Sequence, residues 1–126
     1  MQKRNDTIIY SASDLTAFLK CTHLTTLNLV DLNTPLERAL TDENIELIQN
    51  KGFAHESDYL STLRTAGNTI FAVSSTSNWN EQLAATQGAL TSGADVIFQA
   101  ALSGGIFIGH ADFLRRVEVP STIGTW

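Results

Sequence analysis

The sequence contains a single cysteine, Cys21, in 126 residues. An internal disulfide is excluded, and so is any metal site built only from cysteines of this chain. Basic residues are scarce: 8 Lys and Arg stand against 13 Asp and Glu, for a formal charge of -5 at pH 7. That balance argues against a protein that coats nucleic acid with a cationic face. It still allows an enzyme that holds cations between carboxylates and nucleic acid. No apolar run approaches the ~18 residues of a membrane span, so no membrane partner is expected. Lys3 and Arg4 are followed by Asn5, Asp6 and Thr7, where a signal peptide would need an apolar core, so the cytoplasm is the default location. Internal repeats, low-complexity tracts and linkers are absent. There is no Gly-x-x-x-x-Gly-Lys phosphate loop, and no serine sits in a nucleophile elbow.

What is present is ordinary for a globular chain: 43% hydrophobic and 17% charged residues. The length allows one domain or part of one. Thr7 to Tyr10 reads as extended, and Ser11 to Asp14 supplies helix-capping chemistry. Leu15, Phe18, Leu19, Leu27 and Val30 mark one face of a helix that runs to about Asp31. A second helix starts near Thr41-Asp42-Glu43, with Ile45, Ile48, Tyr59, Leu60 and Leu63 at near-helical spacing. Gly52 interrupts it, and close approach of another backbone is one reason for a glycine there. Gly67-Asn68 closes this helix, and Thr69 to Val73 reads as a strand. A third helix fits Trp79 to Thr91, with Leu83 and Leu90 inward and Gly93 after its end. Two apolar runs within 95–117 flank Ser103-Gly104-Gly105, which predicts a β-hairpin across Gly104-Gly105. The result is an α/β or α+β class with a small mixed sheet of two or three strands.

Three groups of residues could carry chemistry. His55-Glu56 lies one helical turn before Tyr59. It reads either as a surface pair or as a metal ligand or substrate-orienting imidazole. In the second run, alternation puts Ile106, Ile108, His110, Asp112 and Leu114 on one face. A carboxylate at Asp112, in a strand that reads as core, is costly unless it is paired, hydrogen-bonded or bound to a metal. The plainer reading pairs Asp112 with Arg115 or Arg116 at a sheet edge. His110 could share a metal with Asp112 or simply face solvent. Cys21 reads as a small inert hydrophobe, since no second cysteine completes a soft site.

Several of these strings together resemble the RecB-like nuclease family. Tyr10-Ser11-Ala12-Ser13-Asp14-Leu15, Phe18 and Cys21-Thr22-His23-Leu24 resemble its N-terminus. Gly52, His55-Glu56 and Tyr59-Leu60 are similar to its first motif. Gly93 to Ala100, followed by Gly109-His110-Ala111-Asp112-Phe113-Leu114, is similar to its second. Val119-Pro120-Ser121 to Gly124-Thr125-Trp126 fits the segment that follows. The resemblance covers nearly the whole chain.

The resemblance implies part of a PD-(D/E)XK restriction-endonuclease-like fold and metal-dependent hydrolysis of phosphodiester bonds in DNA. Residues 1–126 would form a single incomplete domain, the N-terminal part of the nuclease. Asp112 would be the catalytic carboxylate. His55 and Asp112 would be ligands for Mg²⁺ or Mn²⁺, with Glu56 and His110 as candidates to stand behind them. His55 and Asp112 would then face a common cleft, with the helix beside the hairpin's second strand. Cys21 matches the first of four iron–sulfur ligands in related nucleases, so a cluster would need a longer protein. A helicase domain or partner could accompany that longer protein. The family's acid-x-Lys motif has no counterpart, because Lys3, Lys20 and Lys51 all precede Asp112. The isolated chain is therefore expected to be inactive. The alternative is a non-catalytic small α/β binding module.

Overall fold

The computed structural model describes residues 1–37 and 43–119. In chain order the elements are β1 (Gln2–Arg4), β2 (Thr7–Ser11), α1 (Ala12–Lys20), α2 (Thr22–Asp31), α3 (Glu43–Thr65), β3 (Ile70–Ala72), α4 (Trp79–Thr91), β4 (Val96–Gly104) and β5 (Phe107–Arg115). The strands neighbour one another in the order β1-β2-β5-β4-β3. Parallel and antiparallel pairs both occur, so the protein is mixed α+β. The sheet has five strands where the hydrophobic pattern predicts two or three. Thr41-Asp42 and Pro120 to Trp126, on which part of the sequence reading rests, fall outside the described residues. The described residues form two compact units, 1–37 with 102–109 and 43–101 with 110–119.

In the first unit, β1 and β2 pair antiparallel, Lys3 opposite Ile8. Asn5 and Asp6 join them with φ of 45° and 61°. Two consecutive left-handed residues are the signature of a tight hairpin turn, and Asn and Asp tolerate that conformation best after Gly. The polar start of the chain, which carries no strand periodicity, is thereby half of a hairpin. β2 continues parallel to β5, Tyr10 opposite Phe107, with the two rings 5.9 Å apart. Ser11 caps α1 in a capping box: its hydroxyl accepts from the Asp14 amide, and the Asp14 carboxylate accepts from the Ser11 amide. The predicted single helix to Asp31 is two helices. Cys21 is extended, φ -161° and ψ 110°, closing α1 and opening α2. Neither helix contains a buried residue.

In the second unit, β3 and β4 are parallel, Phe71 opposite Ile97, with α4 as the crossover between them. The amide of Thr69 donates to Asp95 Oδ2 at 2.8 Å. The Thr69 amide and hydroxyl, with Arg116 adding to them, hold the Asp95 carboxyl below its usual value against the opposing effect of burial. Both long helices end in the same way. After α3, Asn68 N–H donates to Leu63 C=O and Gly67 N–H to Arg64 C=O; after α4, Ala94 donates to Ala89 and Gly93 to Leu90. These are Schellman closures, and they need the left-handed φ of Gly67 and Gly93. Gly52 has a different character: an added Cβ would meet nothing within 4 Å, so no backbone approaches it closely.

The inward stripe of α4 is Gln82, Thr86 and Ala89, not Leu83 and Leu90. Leu90 is 54% exposed. Polar residues go inward here because their hydrogen bonds are met. Thr86 Oγ1 donates to the Gln82 carbonyl and accepts from the Ala101 amide. The core of the unit is Val73, Ala89, Ile97 and Ala100, with Ala94, Ala111 and Leu114 against it. Ile97 and Ala100 are three residues apart yet share this core, so the strand's alternation breaks between them. The break is Gln99, with φ of 55°. A left-handed residue inside a strand is the mark of a β-bulge, which re-aims the side chains that follow.

β4 and β5 are neighbours joined by two residues, Gly105 and Ile106, so the pair is an antiparallel hairpin. The turn lies one residue later than predicted. Gly105 takes the positive φ of 59° that the first turn position requires.

Candidate functional site

The chemistry-bearing residues gather in the second unit, where α3, α4, β4 and β5 each contribute one or more. The Tyr59 ring meets Phe113 of β5 edge-on at 4.9 Å, and Phe113 meets Phe98 of β4 at 5.1 Å. This aromatic stack sets α3 against the strands. Glu56 lies three residues before Tyr59 and so shares its side of the helix.

Glu56 Oε2 accepts from Gln99 Nε2 at 3.1 Å. The same nitrogen lies 3.5 Å from Asp112 Oδ1, a long and weaker contact. One amide NH₂ thus faces two carboxylates from separate elements, and its two protons match two acceptors. It does so from a backbone conformation that costs a non-glycine residue roughly 1–2 kcal/mol. Side-chain amide and carboxylates come together only because the bulge turns Gln99 toward them.

The structure corrects the sequence reading at several points. Asp112 is exposed, not buried among apolar neighbours, so its cost of burial does not arise. It is not paired with the following arginines. Arg116 lies 2.9 Å from Glu118 and 3.9 Å from Asp95. The α3 residue linked to Asp112 is Glu56. His55, a helical step of about 100° away, is exposed, and no hydrogen bond from another described residue reaches its ring. His110 does not share a partner with Asp112. Its Nε2 lies 2.7 Å from Gln82 Oε1, and its ring meets Trp79 edge-on at 5.2 Å. Cys21 is an exposed free thiol in the first unit.

Gln99 was not singled out from the sequence. The signal was available: it is the only polar residue in the run from Val96 to Leu102. A lone amide in a buried strand asks for partners, as a lone carboxylate does.

The implied Mg²⁺ or Mn²⁺ does not fit the described residues as they stand. Among them, no three His, Cys, Asp or Glu side chains come together in a way that could hold a metal ion. The two carboxylates that do converge have an N–H donor between them, where a cation would need oxygen. Among the described residues, no helix is long and apolar enough to cross a membrane. No family model matches the chain, and no curated protein or solved structure matches it.

Proposed function

We propose that the chain supplies one half of a nuclease site of the RecB-like, PD-(D/E)XK kind, directed at phosphodiester bonds in DNA. The observation that carries the reading is the meeting of Glu56 and Asp112, from a helix and a strand far apart in sequence, at the Gln99 amide. Local backbone strain held at a convergence of carboxylates is a pattern of functional sites. The hairpin that bears Asp112 and the helix that bears Glu56 are the elements on which the resemblance places that family's two motifs.

In this reading Asp112 is the exposed carboxylate turned toward substrate. Glu56 and Gln99 hold it in place, Glu56 by fixing the amide and Gln99 by donating to both acids. An acid-x-Lys strand would have to supply the oxygen ligands that a divalent cation needs and that the Gln99 amide does not offer, and neither acid-x-Lys nor a lysine after Lys51 occurs in these 126 residues. General base catalysis of the kind such a lysine supports is typically worth about 10²–10⁴-fold. The net charge of -5 gives phosphate little long-range attraction.

The test compares the 126-residue chain with the same chain extended by an acid-x-Lys strand, on single- and double-stranded DNA with Mg²⁺ or Mn²⁺. The short chain should not cut. The extended chain should cut in a metal-dependent way, and Asp112→Ala in it should abolish cutting. Robust cutting by the short chain that survives Asp112→Ala would place the active site elsewhere and refute the proposal.

A further inference from the structure

Where β3 ends and the chain turns toward α4, the second unit has an open pocket of about 260 Å³, lined by Val73, Ser74, Ser75, Gln82, Gln99 and His110. Val73 and Ser74 directly follow β3, and Gln99 follows Phe98, the partner of Ala72 in the parallel register. The pocket therefore sits at the carboxyl end of a parallel pair, the place where open α/β sheets take ligands.

His110 sets its chemistry, and the proton on that ring can be assigned from its neighbours. Gln82 is 7% exposed. Its Nε2 donates to the Ser77 carbonyl at 2.7 Å. A carbonyl only accepts, so the NH₂ end of the amide must be the end at Ser77. Oε1 is then the end that faces His110, and His110 Nε2, 2.7 Å away, must carry the proton. In the neutral ring Nδ1 is a bare acceptor, and no hydrogen bond from another described residue reaches it. Edge-on packing with Trp79 holds the ring. The Ser74 hydroxyl is engaged with Thr76, whereas Ser75 lines the pocket and its hydroxyl has no hydrogen bond to another described residue. Among the described residues, no lysine, arginine or carboxylate lines it. An acceptor and a hydroxyl, with no charged side chain in the lining itself, suit a neutral group that both donates and accepts.

We propose that this pocket binds the free sugar hydroxyl of a nucleoside at a DNA strand end, which donates to His110 Nδ1 and accepts from Ser75 Oγ. The hydroxyl chemistry follows from the pocket itself; the choice of a nucleoside rests on the nuclease reading. Gln99 is common to both places, lining the pocket while its amide touches Glu56 and Asp112. A nucleoside docked here would lie next to the carboxylate pair.

The experiment uses the 126-residue chain labelled with ¹⁵N and titrated with thymidine, with inorganic phosphate as the control. In the free protein the neutral form of the His110 ring should carry its proton on Nε2. Thymidine should shift the His110 ring nitrogens and the Ser75 amide saturably, and phosphate should not. His110→Ala or Ser75→Ala should weaken thymidine about three- to tenfold, the value of one net hydrogen bond. Gln82→Leu keeps the imidazole but releases its tautomer, and should weaken thymidine to a similar extent, with free-state shift changes confined to the neighbourhood of Ser77 and His110. A neutral ring protonated at Nδ1, saturation by phosphate alone, or thymidine shifts indifferent to all three substitutions would overturn the proposal. No cleavage is read here. Absent thymidine binding therefore sinks the pocket while Asp112→Ala still decides the nuclease, and the reverse also holds.

Discussion

Replacing Gln99 by Gly and by Ala gives two variants whose order of stability reports directly on the bulge. Both lose the amide that bonds Glu56 at 3.1 Å. A hydrogen bond to a charged acceptor that is part-exposed contributes on the order of 1 kcal/mol, so both should be less stable than the parent. They differ in the backbone. At φ of 55° alanine keeps the clash of Cβ with the following carbonyl, roughly 1–2 kcal/mol. Glycine relieves it but carries its usual entropic disadvantage within a strand, about 0.5–1 kcal/mol. The difference should leave the Gly variant more stable than the Ala variant by roughly 0.5–1 kcal/mol. At an ordinary strand position the sign is opposite. Urea denaturation at equal m-value resolves this: with m near 2 kcal/mol/M, the midpoints should separate by about 0.3–0.5 M. An Ala variant equal to or more stable than the Gly variant would show that Gln99 is not held left-handed, and the account of how Glu56 and Asp112 are joined would fall with it.

Ile97, 2% exposed and in the core of the second unit, should cost about 2–4 kcal/mol when replaced by Ala, read as a loss in urea midpoint. Asn78 caps α4 by accepting from the Glu81 amide, and Glu81 returns a bond to the Asn78 amide; Asn78→Ala should cost about 1 kcal/mol. Burial pushes the Asp14 carboxyl up, but the Met1 ammonium at 2.7 Å and the Ser11 hydroxyl and amide outweigh it and hold it below its usual 3.8. A lowered folded value means that this stabilisation is present above the unfolded carboxyl range and fades as the pH falls through the lower folded value. Asp14→Asn should therefore flatten the acid limb of the stability–pH curve, and an unchanged limb would show that Asp14 makes no such contribution.

Much was legible in the sequence wherever the signal is local. The α4 boundaries follow from Asn78 before Trp79 and Gly93 after Ser92, because caps and left-handed closures are decided within a few residues. The hairpin from Val96 to Arg115 was legible for the same reason, displaced by one residue at its turn. Very short strands left no such trace. The β1–β2 hairpin was hidden because strands this short show too little alternation to read, although Asn5-Asp6 is a turn signal. Only tertiary structure decided which side of α4 faces in. Leu83 and Leu90 are the more apolar choice by composition, but Gln82 and Thr86 find hydrogen-bond partners inside, and satisfied polar groups bury at little cost. The same holds for the site. His55, Glu56, His110 and Asp112 could be picked out by residue type, yet the partition among them could not. It depends on the left-handed turn of the backbone at Gln99, which sends its amide to Glu56 and Asp112, and on the aim of Gln82, which takes His110 to a different pocket. Both are matters of packing between elements distant in sequence, and no spacing along the chain encodes them.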